Sequence, residues 1–186
     1  LYNVVEGDFY KSNENLLDIY LDWLNESIAK LDTNYVINHI RIFQENNKTS
    51  LNLKSFGLKK LPKELLLLTD LKILHLEKNN LDLAGISKLK NLEELYLSYN
   101  YVKDIEELKH LKKLKVLDLD HNLIKDISAL CELSELKFLK LSQNLLHEIP
   151  SLSALKKLEY LNLNNNRLNN INSLSGTNIK ELYVHR

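Results

Sequence analysis

Apolar and polar residues follow two different rhythms along this chain, and the changeover falls near residue 48. Between Ser12 and Leu31 the apolar positions Leu17, Tyr20, Leu21, Leu24, Ile28 and Leu31 recur at three- and four-residue steps, with Trp23 beside the stripe. That spacing predicts an amphipathic helix. Ser12 or Asn13 supplies a side-chain oxygen for the unpaired amides at its start. Asp32 and Thr33 can do the same for a second, shorter helix through Val36, Ile37, Ile40 and Phe43, which the polar run Glu45–Lys48 breaks. Residues 1–11 have no clear period and read as a tail or loose strand.

Beyond residue 48 the apolar period drops to two and the pattern itself repeats. Aligned on Leu-x-x-Leu-x-Leu-x-x-Asn, seven units begin at Lys48, Leu71, Leu92, Leu114, Leu136, Leu158 and Ile179, at spacings of 21 to 23 residues. The Leu-x-Leu pairs, from Leu51/Leu53 to Leu182/Val184, mark short strands with one buried face. Asn79, Asn100, Asn122, Asn144 and Asn166 follow at the turn. There an amide side chain can both donate to and accept from backbone groups that a curving chain leaves unpaired. Phe56 takes that place in the first unit. A second apolar set, Val102, Ile105, Leu108 and Leu111, recurs as Ile124, Ile127, Leu130 and Leu133 and closes the outer side of each turn. No such unit buries its apolar face alone, so stacking must make one continuous core. Two regions are expected: residues 1–47 as a tail and helical cap, and 48–186 as a solenoid whose last unit is incomplete. The cap would cover a first repeat that otherwise exposes leucines and a bare sheet edge.

These residues resemble the leucine-rich repeat family in its 22-residue class, over roughly residues 48–186. Similar repeats occur in bacterial internalins and in eukaryotic phosphatase-regulating proteins. The segment Thr49–Leu53 through Gly57–Pro62, behind a helical region containing Trp, also resembles the start of many bacterial repeat proteins, secreted effectors and ubiquitin ligases among them. The resemblance implies an α/β solenoid: a curved leucine-rich repeat with a concave parallel β-sheet and an N-terminal helical cap, used mostly for binding proteins.

Because strand neighbours alternate, the side chains between the buried leucines must face outward on that sheet. The third-position row reads Ser50, Ile73, Glu94, Val116, Phe138, Tyr160, Glu181. The fifth reads Asn52, His75, Tyr96, Asp118, Lys140, Asn162, Tyr183. The seventh reads Lys54, Glu77, Ser98, Asp120, Ser142, Asn164, His185, and the eighth Ser55, Lys78, Tyr99, His121, Gln143, Asn165, Arg186. With strands about 4.8 Å apart the sheet runs roughly 30 Å, enough for a protein or an extended peptide. Val116, Phe138 and Tyr160 form an apolar stripe, which Tyr96, Tyr99 and Tyr183 are expected to widen. Beside it lie Glu77, Glu94, Asp118 and Asp120, with His121 and Lys140 at their margin. Aromatic residues dominate interface hot spots. The expected partner is therefore a protein or peptide that presents an apolar anchor flanked by Lys or Arg.

Composition narrows the alternatives. Formal net charge is zero, with −4 over residues 1–50 and +4 over the remainder. A phosphate-tracking nucleic-acid binder needs a basic excess, so none is expected. The lone Cys131 cannot form an intramolecular disulfide, which favours a reducing compartment and cytoplasmic location, with a secreted effector as the other possibility. The longest apolar run is Leu65–Leu68, too short to span a membrane. No Gly-rich phosphate loop, Gly-x-Ser-x-Gly or His-Glu-x-x-His motif is present. No catalytic site, cofactor or metal is expected, and His75 and His121 are too far apart to converge on an ion. Lys109, Lys112, Lys113, Lys156 and Lys157 read as a solubilising surface. The sequence opens at Leu1 without any Met, the expectation for a trimmed or mature form. Arg186 falls before the last turn Asn, so either the natural chain continues, or it was cut there, or the C-terminal edge pairs with another molecule. The second functional reading is the substrate-recruiting part of a larger bacterial effector or enzyme such as a ubiquitin ligase.

Overall fold

A computed structural model describes residues 33–46 and 48–185. The expected first helix with Trp23, the tail 1–11, Asp32 and Arg186 lie outside the described residues. Helix α1 (Thr33–Glu45) is the second expected helix. Its three- and four-residue spacing puts Val36, Ile40 and Phe43 on one face, and all three are buried in the same core as the repeats. Tyr35 and His39 bring their rings to within 5.8 Å and 5.3 Å of Phe56. At the other end Asn46 closes the helix: its backbone N–H donates to Phe43 O and its Nδ2 to Ile42 O at 2.7 Å.

Seven short strands then follow: β1 (Ser50–Asn52), β2 (Ile73–His75), β3 (Glu94–Tyr96), β4 (Val116–Asp118), β5 (Phe138–Lys140), β6 (Tyr160–Asn162) and β7 (Glu181–Tyr183). They form one parallel sheet in sequence order. The register aligns Leu51, Leu74, Leu95, Leu117, Leu139, Leu161 and Leu182 across all seven strands. Each leucine therefore packs between identical neighbours. The first six are 0–2% exposed, and burial of such a side chain is worth about 1.5–3 kcal/mol. Leu182, on the edge strand β7, is 41% exposed.

The asparagines do what their position predicts. Asn122 Nδ2 donates to Leu97 O, Leu119 O and Asp120 O at 3.0–3.2 Å, while its Oδ1 accepts from Val102 N at 3.0 Å. The same pattern recurs at Asn79, Asn100, Asn144 and Asn166. Each amide thus ties its own turn to the preceding unit. In the first unit Phe56, without polar groups, is buried against α1 instead. The outer sides close with short 3-10 turns at Leu65–Leu67, Ile86–Lys88, Glu106–His110, Ser128–Glu132 and Asn172–Leu174. Immediately before each turn asparagine the chain reverses through a left-handed residue. Ser55, Lys78, Tyr99, His121, Gln143 and Asn165 all have φ between 54° and 60°. At four of the six the residue type does not announce this, since only His121 and Asn165 are of types that favour that region.

Candidate functional site

With both leucines of each pair turned inward, the third- and fifth-position side chains have one place to go, the open face of the sheet. Phe138 is 44% exposed there, with Val116 and Tyr160 half-buried on either side in register. The rings of Phe138 and Tyr160 lie 6.0 Å apart and those of Tyr160 and Tyr183 5.5 Å, tilted by 33° and 41°. The expected stripe is therefore a continuous aromatic run across β5, β6 and β7. Tyr96 and Tyr99 have other ring partners. Each stacks on a histidine from an adjacent unit: Tyr96 on His75 at 4.5 Å and 3°, Tyr99 on His121 at 4.0 Å and 14°. These pairs are same-row neighbours in consecutive units, a relation already present in the sequence alignment of the units.

The four carboxylates are less alike than their rows suggest. Glu94 accepts the Tyr96 hydroxyl at 2.7 Å. Burial, with that carboxylate next in effect, pushes the Tyr96 phenol above its usual range. Asp118, expected to be open to a partner, is only 9% exposed. One of its oxygens accepts from Asp120 N at 3.1 Å, and the other lies 3.4 Å from Lys140 Nζ. Lys140 is exposed but committed to that contact. Asp120 accepts from Ser142 N at 2.6 Å. Burial, and then the Asp118 charge, push its carboxyl up to about 6. Glu77 has one oxygen 3.4 Å from His75 Nδ1, while its Oε2 is buried and has no hydrogen-bond partner among the described residues.

The family model described as "Leucine Rich repeats (2 copies)" matches residues 90–132 and 134–176. An internalin (inlF) of Listeria monocytogenes is similar at 31% identity and a TM-score of 0.62, over 66% of this chain and 37% of that one. A leucine-rich repeat protein of Leptospira interrogans is similar at 36% identity and a TM-score of 0.70, over 78% of this chain and 39% of its own. The solenoid has the leucine-rich repeat fold. The functional domain of InlJ from Listeria monocytogenes, at 22% identity and a TM-score of 0.60 over 74% of this chain and 32% of that one, shares the fold. No curated protein sequence matches the chain. The chain thus spans well under half the length of the first two similar structures. Leucine-rich repeat domains are in general protein-interaction scaffolds and not enzymes.

The outer lysines do more than solubilise. Lys112 pairs with Glu132 at 2.7 Å and Lys157 with Glu135 at 2.6 Å, each joining one unit to the next. Lys109 pairs with Glu106 within its own turn, and Lys113 reaches Asn91 at 2.6 Å. Glu107, which no motif singled out, accepts from the backbone of Gly85 and Ser87 at 3.0–3.1 Å and caps the preceding unit's 3-10 turn. Those bonds hold its carboxyl below the usual range. Cys131 lies half-buried on the outer turn, 3.6 Å from Ser151 O, and burial pushes its thiol up. Among the described residues no group of three or more His, Cys, Asp or Glu is placed to hold a metal ion, and no helix is long and apolar enough to cross a membrane.

Proposed function

We propose that this leucine-rich repeat recognises a protein or peptide partner on the open face of its sheet, with an apolar anchor on Val116, Phe138, Tyr160 and Tyr183. The observation that carries the reading is the exposed aromatic run on β5–β7. β5 and β6 already bury Leu139 and Leu161 completely on the inner side, so these two strands need no further apolar groups on the other side. Aromatic side chains give large contact area for little lost conformational freedom. The carboxylates around β2–β4 favour a partner with Lys or Arg beside its anchor. The inlF and Leptospira interrogans structures are longer than this chain, which fits the further reading that the domain recruits partners for a larger protein, an effector or an enzyme such as a ubiquitin ligase. Affinity capture with the wild-type chain, followed by calorimetry with Phe138→Ala and Tyr160→Ala, tests the site. At least tenfold weaker binding, about 1.4 kcal/mol, is expected for each. Unchanged affinity for both removes this face as the site.

A second reading rests on a different observation, the exposed β7 with Leu182 uncovered. An open strand edge with an apolar side chain can pair with another copy. Light scattering across a concentration series decides it, with a constant monomer mass ruling it out.

A further inference from the structure

We propose that the segment Ser12–Leu31 of this chain docks as a helix in the groove between α1 and the first repeat unit, its acidic ridge against Lys59, Lys60 and Lys63. The proposal concerns the flank of the solenoid and is independent of the open-face reading.

The groove has a volume of about 460 Å³. Its apolar lining comes from Val36 and Ile37 of α1 and from Phe56, Leu58, Leu61 and Pro62 of the first unit. Ile37 and Pro62 are only half-buried there. Lys59, Lys60 and Lys63 stand exposed along the rim, and among the described residues none of the three meets a carboxylate. On the later units Lys109, Lys112 and Lys157 each have an acidic partner. The first unit thus presents apolar surface edged by unneutralised positive charge, with Glu64 as the one carboxylate along the lining.

The chain supplies a segment of matching chemistry at that place. Helix α1 starts at Thr33, and Val36 and Ile37 lie near its start, so the chain arrives beside the groove. As a helix, residues 12–31 would be about 30 Å long. Next to the apolar stripe already described, Glu14, Asp18, Asp22 and Glu26 recur every four residues. On a helix that spacing makes one continuous acidic ridge. Residues 1–32 carry seven acidic and two basic side chains. An apolar stripe with acids beside it therefore meets an apolar groove with lysines beside it, the way an amphipathic helix occupies a groove. A single residue, Asp32, joins the segment to α1, so docking within one chain is favoured by a high effective concentration. Exposed ion pairs hold little on their own, so the apolar contact supplies the attachment and the charges set its direction.

The test uses the whole chain in dilute solution and a carbodiimide, which joins a lysine Nζ to a carboxylate where the two touch. Mass spectrometry is expected to find links from Lys59, Lys60 or Lys63 to Asp18, Asp22 or Glu26 within one chain. Trp23 is the only tryptophan, so fluorescence reports on the segment. Lys59→Glu, Lys60→Glu and Lys63→Glu together are expected to shift its emission to the red and raise its quenching by acrylamide. Adding Asp18→Lys, Asp22→Lys and Glu26→Lys is expected to restore the emission, and to restore the links with their polarity exchanged. Leu24→Asp with Ile28→Asp, which spoils the apolar contact but leaves the lysines in place, is expected to remove the links. The wild-type links need no variant, so a substitution that unfolds the chain does not spare the proposal. Links to lysines outside the groove, links that join two chains, or a charge exchange that restores nothing overturn it. So does a Trp23 emission that none of these substitutions moves. Partner binding by the Phe138 and Tyr160 variants reads the open face separately.

Discussion

Leu117 and Phe138 sit on neighbouring strands and point to opposite sides of the same sheet. Leu117 is fully buried between Leu95 and Leu139, and the position repeats as Leu from β1 to β7. Phe138 is 44% exposed, and its row runs Ser, Ile, Glu, Val, Phe, Tyr, Glu. On the buried side each residue meets the same neighbours in every unit, so one side-chain shape is best everywhere. On the open side nothing in the fold imposes a choice. Uniformity there would say little, and local concentration of one chemistry says more. The aromatic run on β5–β7 and the stacked His–Tyr pairs on β2–β4 are two such concentrations, and they meet near Asp118 and Lys140.

The largest test of this contrast is Leu117→Ala. It should destabilise the chain by about 2–5 kcal/mol, read from the urea midpoint. A loss below about 1 kcal/mol would mean the ladder is not a tightly packed wall. Next is Asn122→Ala, which strands Val102 N in a buried turn and leaves Leu97 O with Asn100 Nδ2 as its side-chain donor; a loss of roughly 1–3 kcal/mol is expected in the same assay. Asp120→Asn should act with the opposite sign. Its folded carboxyl is raised to about 6, above the ordinary unfolded value of 3.8. The folded state therefore holds the proton more tightly than the unfolded one, and stability falls as pH rises from about 4 to about 6. Asparagine removes that loss. The variant should gain on the order of 1 kcal/mol at pH 7, allowing for solvent screening, and nothing near pH 3. Smallest of all, Phe138→Ala should change stability by no more than about 0.5 kcal/mol while weakening partner binding. Leu182→Ala belongs with it, and a cost comparable to Leu117→Ala would show that the C-terminal edge is covered in solution.

Much of this architecture was legible in the sequence, for the reason that the contrast supplies. The strands, the leucine ladder, the asparagine row and the outer apolar set all repeat, and repetition places a residue without coordinates. The core of α1 was legible from Val36, Ile40 and Phe43. What escaped was whatever depends on a single contact between unlike units. Glu107 caps the turn at Gly85 and Ser87 through a reach of some twenty residues that no other unit copies. Asp118 looked as open as its row neighbours, yet its oxygens are taken up by Asp120 N and Lys140. The rows place the aromatics on the open face, but they do not show that Tyr96 and Tyr99 stack on His75 and His121. Rows give direction, and only coordinates give the tilt that decides which ring lies flat on which.

The left-handed reversal after each strand bears on how the scaffold can be altered. A side chain with a Cβ costs about 1 kcal/mol in that conformation, and glycine avoids the cost while adding freedom to the unfolded chain. Lys78 and Gln143 lie there outside both aromatic groups. Replacing each with glycine should leave the hydrophobic interior and the aromatic run on β5–β7 untouched and raise thermal tolerance by a small, separable increment. The molecule thus carries tuning points that are decoupled from its candidate binding work, and a laboratory could harden it without retuning what it recognises.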